Sequence, residues 1–471
     1  MYQILHVSAE VSPFIKVGGL ADVVGSLPSE IKRLRGSEVR VILPLYKTVS
    51  KSYKKSMEEE LSYDLNFNDQ MTKVTIHSLK KGNIIYYFVD NDYYFGSRDQ
   101  IYNCQDDSQR FAFFQLAVLE SLAYLNFIPN LIHVHDWHTA MIPLLLKRRY
   151  PEYNAKSVLS IHNLAYQGIF PLQDYQYFSI NYTPEFEFQG FLNFLKSGII
   201  ASDLITTVSP TYANEIKTDY FGYGMQNLLR MRSHELIGII NGIDNDIYNP
   251  LKDEYIIPFS YDHYRDGKTA NKKALYQALN VQFDEQKPLV SIVSRLVSQK
   301  GIDLIQRVFS EMLEIDDFKF VVLGSGDEFY EEYFRDLEKK YPNKVKVYIG
   351  YSDQLAHQIY ASSDIFLMPS KYEPCGLSQL ISMRYGTIPL VRETGGLLDT
   401  IKPYNEFNSS GNGFSFTNFN AHDMMHVLRY ALHIYQHNKD AWDMIVKEAM
   451  EADFSWKQSA KEYRKLYKKI L

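Results

Sequence analysis

Mainly apolar segments alternate with amphipathic segments along the second half of the chain. Apolar residues recur at helical spacing in the amphipathic segments, as Leu304, Ile305 and Val308 do in one of them. Between these predicted helices, five segments have the length and composition of buried strands, at residues 289–293, 318–323, 345–349, 365–368 and 388–391. Such alternation predicts a parallel sheet covered by helices on both faces.

The first half shows the same alternation with one interruption. Residues 63–90 alternate in the manner of antiparallel strands, and we expect them to form an insertion beside the main sheet. The Asn-Gly pair at 241–242, followed by Pro250 and Pro258, predicts an interdomain linker. Buried strands are predicted at residues 4–7, 38–44, 131–135, 158–161, 203–208 and 236–240, and a helix at 109–124.

The chain has 471 residues, which is too many for one ordinary core, so two domains are expected. The fold class is α/β, with two Rossmann-like, doubly wound domains at residues 1–242 and 243–455. The last segment, 456–471, is basic and carries Tyr463, Leu466 and Ile470 on one helical face. We expect it to form a helix that packs back on the first domain.

Composition and charge narrow the class of protein. Hydrophobic residues make up 45% and charged residues 23%, as in soluble globular domains, and the net charge of -6 argues against a nucleic-acid partner. Two cysteines, Cys104 and Cys375, cannot build a disulfide framework. No segment approaches the ~20 apolar residues of a membrane span, and the N-terminus lacks the basic region of a signal peptide. We therefore expect a cytoplasmic protein without a membrane partner.

Glycine turns follow several of the predicted strands. Gly18 and Gly19 lie beside Lys16 and precede a helix predicted from about Ala21, and comparable turns occur at 324–326 and 394–396. The strand, glycine turn and helix sequence is typical of phosphate-binding loops. Arg295 and Lys300 follow another strand, where a guanidinium and an ammonium can bind a diphosphate.

The segment 364–396 places an acid at the centre of this pattern. Glu373 lies between a predicted strand, 365–368, and a predicted helix, 376–385. Its carboxylate is therefore expected at the carboxyl edge of a sheet, near a helix N-terminus whose free N–H groups favour anions. This arrangement suits a site for phosphates and a sugar.

Histidines cluster at two strand ends of the first half. His133 and His135 share one face of a strand, Asp136 and His138 follow it, and His162 follows the next strand. A metal site is one interpretation, but no clear third ligand is present. The favoured interpretation is a polar cluster in which Asp136 and His138 bind sugar hydroxyls, while His162 lies at the ligand-binding edge of the sheet.

Several longer motifs, in their order along the chain, resemble one known family, the bacterial glycogen and starch synthases. The motifs that carry the resemblance are KVGGLADVVGSLP, HVHDWH, SIHNLAYQG, NGID, SRLVSQKG, KYEPCGLSQL and RYGTIPLVRETGGL. They span nearly the whole chain. The resemblance implies the GT-B architecture, in which two Rossmann-like domains face each other across a cleft.

The resemblance also implies an activity, the transfer of glucose from ADP-glucose to the 4-hydroxyl at the non-reducing end of an α-1,4-glucan, with retention of configuration. It implies neither a cofactor nor a metal, since cationic side chains neutralise the leaving diphosphate. The implied catalytic residues are Glu373, His162, Arg295 and Lys300. The implied donor-binding residues are Lys16, Gly18, Gly19, Tyr351, Cys375, Gly376, Leu377, Thr394, Gly395 and Gly396. The implied sugar or acceptor contacts are Asp22, Asp136, His138, Asn163 and Asn241.

Two positions depart from the family pattern. Val17 stands where the family commonly has threonine, and Glu393 stands where many relatives have arginine, so that its charge either weakens phosphate binding or points outward. No second carboxylate accompanies Glu373, which favours a front-face mechanism over a covalent glycosyl intermediate. The alternatives are another retaining glucosyltransferase of this architecture, such as a sucrose synthase or a glucan phosphorylase, and a catalytically silent glucan-binding protein.

Overall fold

A computed structural model describes residues 1–282 and 284–471. The chain divides into two compact units. The first unit comprises Met1–Asn241 together with Trp456–Leu471, and the second unit comprises Gly242–Ser455. Both are α/β units built on a sheet, and no described helix is long and apolar enough to cross a membrane.

Twelve strands belong to the first unit and six to the second among the described residues. The strands of the first unit are β1 (Tyr2–Val7), β2 (Ser37–Pro44), β3 (Glu58–Phe67), β4 (Gln70–Lys81), β5 (Ile84–Asp90), β6 (Leu131–His135), β7 (Lys156–Ile161), β8 (Ile169–Pro171), β9 (Glu187–Phe188), β10 (Phe191–Asn193), β11 (Leu204–Thr207) and β12 (Leu236–Gly238). Those of the second unit are β13 (Leu289–Val293), β14 (Lys319–Gly324), β15 (Val345–Ile349), β16 (Ile365–Met368), β17 (Ile388–Arg392) and β18 (Phe414–Phe416).

Helices separate most of these strands. In chain order they are α1 (Gly19–Arg33), α2 (Lys51–Lys55), α3 (Asp107–Ser121), α4 (Ile142–Arg148), α5 (Phe194–Ala201), α6 (Pro210–Glu215), α7 (Gln226–Met231), α8 (Tyr264–Ala278), α9 (Ile302–Ile315), α10 (Glu328–Lys340), α11 (Asp353–Ser362), α12 (Ser378–Arg384), α13 (Gly395–Thr400), α14 (Ala421–His437), α15 (Lys439–Glu451) and α16 (Trp456–Ile470). The apolar face predicted at 304–312 is buried in α9.

The sheet of the first unit has nine strands in the order β12-β11-β7-β6-β1-β2-β5-β4-β3. Residues 63–90 do form antiparallel strands, but the prediction that they lie beside the main sheet was wrong. β5 pairs in parallel with β2, and β4 and β3 extend the same sheet as an antiparallel edge. The alternation of apolar and polar residues identified these strands. It could not show that β5 pairs with β2, because that pairing joins residues distant in sequence. A separate small sheet has the order β8-β10-β9.

The terminal helix α16 packs against α1 within the first unit. Its Tyr467 hydroxyl lies 2.6 Å from Nδ1 of His133, and the Arg464 guanidinium donates to the carbonyl of Leu34 at 2.6 Å. Tyr463 and Tyr467 are buried, as expected for the apolar face of an amphipathic helix. The last residues of the chain therefore contribute to the core of the first unit.

The sheet of the second unit is parallel throughout, in the order β15-β14-β13-β16-β17-β18, which confirms the predicted parallel sheet. A buried ion pair anchors its centre, because Lys272 of α8 lies 2.5 Å from Asp364, and the same Asp364 oxygen accepts the backbone N–H of Leu289 at 2.7 Å. Asp364 thus ties the starts of β13 and β16 together. The loops that follow these two neighbouring strands carry Lys300 and Glu373.

Candidate active site

An acid and a lysine meet at the carboxyl end of the second unit's sheet. Glu373 lies in the loop between β16 and α12, is 7% exposed, and places Oε2 2.5 Å from Nζ of Lys300. The Ser370 hydroxyl donates to the same oxygen at 3.1 Å. In the described part of the chain, no residue donates a hydrogen bond to the second oxygen, Oε1. The contacts therefore hold the carboxylate in place through one oxygen and leave the other to a ligand.

Arg295 follows β13 in the same region and has an exposed side chain. No hydrogen bond or ion pair joins its guanidinium to any residue in the described part of the chain. A guanidinium is permanently charged and offers several donors in a planar fork, so an unengaged one can bind a phosphate in two-point fashion. Lys300 and Arg295 thus provide two cations after the same strand.

The glycine turn after β17 packs against the loop that carries Glu373. The N–H of Gly396 donates to the carbonyl oxygens of Glu373 at 3.2 Å and Pro374 at 3.1 Å. Gly395 has φ +45°, and a Cβ added to it would lie 2.0 Å from the Glu373 carbonyl oxygen. The predicted phosphate-binding turn at 394–396 therefore also positions the backbone of the acid.

The remaining predicted donor-binding residues of this unit are three residues just before α12 and one exposed tyrosine. The carbonyls of Cys375 and Gly376 each accept a hydrogen bond from the Gln379 amide at 3.0 Å, and Leu377 precedes α12 directly. Tyr351 is 77% exposed and its hydroxyl donates to Asp353 at 3.2 Å. A flat, exposed ring of this kind is available for stacking.

Glu393, the departure from the family pattern, is turned toward β18 and the residues that follow it. Its carboxylate oxygens accept hydrogen bonds from the hydroxyls of Ser415 at 2.7 Å and Thr417 at 2.8 Å. Of the two alternatives left open by the sequence, these bonds favour a carboxylate that is satisfied within its own unit.

In the first unit, Lys16 and Asp22 form an ion pair with Nζ 2.8 Å from Oδ1, and both side chains are partly exposed. A carboxylate that the sequence analysis did not single out lies next to them. Glu10 is 4% exposed, and its Oε2 accepts the backbone N–H groups of Val17 at 2.6 Å and Gly18 at 2.9 Å.

Glu10 therefore occupies one of the N–H groups that the sequence assigned to a phosphate. Its other oxygen accepts the Tyr102 hydroxyl at 2.7 Å, which fixes the carboxylate further. Gly18 is held in an extended conformation and α1 starts at Gly19. The sequence does show an acid, Glu10, just after the first strand. Its partners are backbone N–H groups of a folded loop, so the spacing of residues in the sequence does not reveal them.

Asp136 has an unusual backbone conformation at the end of β6, with φ 56° and ψ -175°. This region is nearly restricted to glycine and costs on the order of 1–3 kcal/mol for other residues, and such strain clusters at functional sites. The Asp136 carboxylate accepts the backbone N–H of His162 at 2.7 Å. The two predicted sugar-binding strand ends are thus joined by a hydrogen bond.

The other predicted sugar contacts of the first unit offer polar atoms with few protein partners. Nδ1 of His138 and Oδ1 of Asn241 are buried without a hydrogen-bond partner. Oδ1 of Asn163 accepts the N–H of Ala165 at 3.0 Å, so it is already engaged. Buried polar atoms without partners call for an explanation, and a bound ligand is one.

The described residues contain one group of side chains that could hold a metal, His6, His133 and His135, whose ligand atoms all lie within 4.8 Å of one another. Five of their six ring nitrogens already have hydrogen-bond partners, namely other histidines, Tyr467 and Ser160. A cation would have to break these bonds, and no carboxylate completes the set. The donor set fits a hydrogen-bonded cluster better than a metal site.

Burial sets the protonation of this region. It raises the pKa of Asp136 to about 7, against the lowering effect of hydrogen bonds from the backbone of His162 and Asn163. It also lowers the pKa of His162 and of His6 to about 3, so both imidazoles are neutral near pH 7.

We expect Asp136→Asn to change how stability depends on pH. The folded protein keeps the Asp136 proton up to about pH 7, whereas the unfolded chain loses it near 3.8. The wild type should therefore lose about 1.4 kcal/mol of unfolding free energy per pH unit relative to the variant across this window, because folding binds a proton there. Urea denaturation between pH 4.5 and 7.5 measures the difference.

Asp69→Asn, at an exposed turn between β3 and β4, is the matched control for loss of one carboxylate. A stability difference between wild type and Asp136→Asn that stays constant with pH would contradict the raised pKa.

Comparisons with known proteins find similarity to starch and glycogen synthases along the whole chain. A model of the starch synthase catalytic domain matches residues 3–231, and a model of glycosyl transferases group 1 matches residues 279–444. The glycogen synthase of Geobacillus thermodenitrificans (strain NG80-2) is 46% identical over 483 residues, covering 100% of this chain and 98% of the relative. The glycogen synthase of Bacillus cereus (strain Q1) is 47% identical over 484 residues, with 99% of each chain covered.

Solved structures show the same fold. The catalytic domain of starch synthase IV from Arabidopsis thaliana, bound to ADP and acarbose, has a TM-score of 0.92 and 33% identity, with 99% of each chain covered. A sucrose-phosphate synthase from Thermosynechococcus elongatus, at 16% identity and a TM-score of 0.61, shares the fold alone. From its GT-B fold, its two matched domains and its full-length identity to these enzymes, the chain belongs to the glycogen synthase family of glucosyltransferases, EC 2.4.1.21.

Proposed function

We propose that this protein takes glucose from ADP-glucose and adds it to the non-reducing 4-hydroxyl of an α-1,4-glucan with retention of configuration. The observation that carries the proposal is the ion pair of Lys300 with the buried Glu373, together with the unengaged guanidinium of Arg295 in the same segment between β13 and α9 as Lys300. The reaction must stabilise a departing diphosphate and an oxocarbenium-like sugar together, and preorganised charges of both signs suit this task. The Arabidopsis relative bound to ADP and acarbose supports the choice of nucleotide.

In this proposal the first unit is the acceptor-side domain and the second unit binds the nucleotide sugar. Lys300, Arg295 and Lys16 neutralise the leaving phosphates, next to the glycine turns that contain Gly19 and residues 394–396. Tyr351 stacks on the base. Cys375, Gly376 and Leu377 line the donor site through their backbone, next to the start of α12.

Glu373 faces the sugar in this proposal and opposes the positive charge that develops at the anomeric carbon, through its unengaged Oε1. His162 contacts the hydroxymethyl group of the transferred glucose. The other predicted sugar contacts of the first unit bind the hydroxyls of the acceptor and of the transferred glucose. These residues are Asp22, Asp136, His138, Asn163 and Asn241.

We infer a front-face displacement. The carboxylate of Glu373 already accepts from Lys300 and Ser370, which lowers its nucleophilicity, and no second carboxylate accompanies it in the described part of the second unit's site. The leaving phosphate oxygen then removes the proton of the acceptor 4-hydroxyl. Cationic side chains supply the charge stabilisation that a divalent ion gives in other transferases, so no step requires a metal.

The test compares radiolabelled ADP-glucose and UDP-glucose as donors, with glycogen as the acceptor. We expect incorporation from ADP-glucose at least about tenfold more efficient than from UDP-glucose in kcat/KM, unaffected by EDTA. A preference for UDP-glucose would support a related transferase with another donor. Glycogen binding without incorporation from any donor would support a silent glucan-binding protein. A trapped glucosyl adduct on Glu373 would overturn the front-face displacement.

A further inference from the structure

Three imidazoles form a hydrogen-bonded chain that ends at His162. Nδ1 of His135 lies 3.1 Å from Nε2 of His162, and Nε2 of His135 lies 3.1 Å from Nδ1 of His6. The three residues come from the neighbouring strands β1 and β6 and from the residue after β7. His6 and His135 are fully buried, and Nε2 of His6 has no hydrogen-bond partner.

The protons in this chain cannot be placed independently. A neutral imidazole carries one N–H and one lone pair, and each of the two N···N contacts needs one of each. If His135 carries its proton on Nδ1, then His162 accepts at Nε2 and His6 donates from Nδ1. If His135 carries its proton on Nε2, both bonds reverse. All three rings are therefore protonated on Nδ1, or all three on Nε2.

The buried end of the chain distinguishes these two arrangements. With every proton on Nε2, His6 would bury an N–H group that has no acceptor. With every proton on Nδ1, His6 buries only a lone pair, and the N–H at the other end is the Nδ1–H of His162. Among buried backbone groups, orphaned N–H donors are rarer than unsatisfied acceptors. Applying the same preference to the imidazoles, we favour protonation of all three rings on Nδ1.

The surroundings keep the chain neutral. Burial lowers the pKa of His6 and His162 to about 3 and that of His135 well below its ordinary value. The fourth ring of the cluster, His133, stacks on His135 with a centroid distance of 4.2 Å, but its nitrogens bond to Tyr467 and Ser160 and do not join the chain.

We propose that His6 and His135 are positioning residues that hold the proton of His162 on Nδ1, so that this nitrogen donates a hydrogen bond to the hydroxymethyl oxygen of the transferred glucose. The contact with glucose rests on the proposed function, whereas the proton arrangement is a property of the free protein. The chain also fixes the plane of the His162 ring, while Asp136 fixes its backbone N–H. The tautomer of His162, the ring that contacts the sugar, is thus set by His6, which lies two hydrogen bonds along the chain from it.

Nitrogen-15 NMR of the free, histidine-labelled protein tests the proton arrangement directly, because the two nitrogens of a neutral imidazole have distinct shifts. Signals are assigned with His6→Leu, His135→Leu and His162→Leu, each of which removes the signal of one ring. We expect His6, His135 and His162 to be protonated on Nδ1 between pH 6 and 8. A His162 that is protonated on Nε2, or that exchanges between tautomers, would overturn the proposal even if the enzyme is active.

Kinetics with matched variants tests the role in catalysis. His6→Leu removes the donor at the start of the chain, whereas His6→Asn can place its amide N–H near the position of Nδ1. We expect His6→Leu to lower kcat/KM for ADP-glucose about tenfold, and His6→Asn to recover most of this loss. His133→Leu breaks two hydrogen bonds in the same cluster but should leave the tautomer of His162 unchanged.

A donor without the hydroxymethyl group separates positioning from general damage to the fold. With ADP-xylose, which lacks this group, the effect of His6→Leu should shrink to about twofold or less. An equal loss with both donors would contradict the proposal and indicate a structural role for His6. If the wild type transfers glucose from no donor, the proposed function fails, and the NMR result still decides the proton arrangement.

Discussion

Replacing Glu373 with glutamine is expected to lower kcat by about 10²–10³-fold, the effect seen when one preorganised electrostatic group is removed from an active site. The amide fills almost the same volume and can still accept from Ser370, so the loop should keep its shape. What disappears is the negative charge that the proposed mechanism places beside the anomeric carbon. Lys300 also loses the carboxylate that holds its ammonium at 2.5 Å. Initial rates of radiolabelled glucose incorporation measure the loss, and thermal melting measures the fold.

Glu393→Gln is the matched control, because it removes one carboxylate by the same substitution in the same unit. Its oxygens accept from Ser415 and Thr417 and make no contact with Lys300. We expect this variant to keep its activity within about twofold. A similar loss of activity in both variants would mean that the total charge of the unit matters and not the position of Glu373.

The contact between Lys300 and Glu373 gives a further check. We expect Lys300→Ala alone to lower turnover strongly, and the double variant to lose less than the sum of the two single losses, because residues in contact act as a unit. Additive losses would indicate that the two side chains work separately. A large drop in melting temperature in both single variants, with little change in kcat, would assign the pair a structural role.

The second unit was the more predictable part of the fold. The predicted limits of β13, β15 and β16 coincide with the observed ones. β13 and β16 are buried almost throughout, and strands that are buried on both faces are mainly apolar and therefore easy to delimit. β15 lies at the edge of the sheet and is only partly buried. β18 and the small sheet of β8, β9 and β10 were not predicted. Each of these strands has only two or three residues, which is too short for any periodicity to show.

The candidate site was predictable where it depends on strand ends. Lys300 and Glu373 follow strands that prove to be neighbours, and their contact is a direct consequence of the order β13-β16. Glu10 and His6 could not be identified in this way. Their partners are backbone N–H groups of a loop and rings on other strands, so their environment exists only after the chain has folded.

Adding a single methyl group at Gly395 is expected to damage both catalysis and folding. In Gly395→Ala the new Cβ would lie 2.0 Å from the carbonyl oxygen of Glu373, so the backbone of the acid must move by about 1 Å. Misplacement on this scale costs about 10²-fold in rate when it affects a reacting group. The residue also sits at φ +45°, where alanine is strained, so we expect the free energy of unfolding to fall by about 2–4 kcal/mol.

Gly82→Ala separates these two effects. Gly82 lies in the turn between β4 and β5, has φ +60°, and offers its Cβ open space with nothing within 4 Å. It should therefore show the backbone strain alone, about 1–2 kcal/mol of unfolding free energy, with unchanged kcat. Equal kcat in the two variants would show that the turn at 394–396 does not position Glu373. A loss of rate confined to Gly395→Ala, in protein that is still folded, would show that the close approach of this glycine to the acid is needed for turnover.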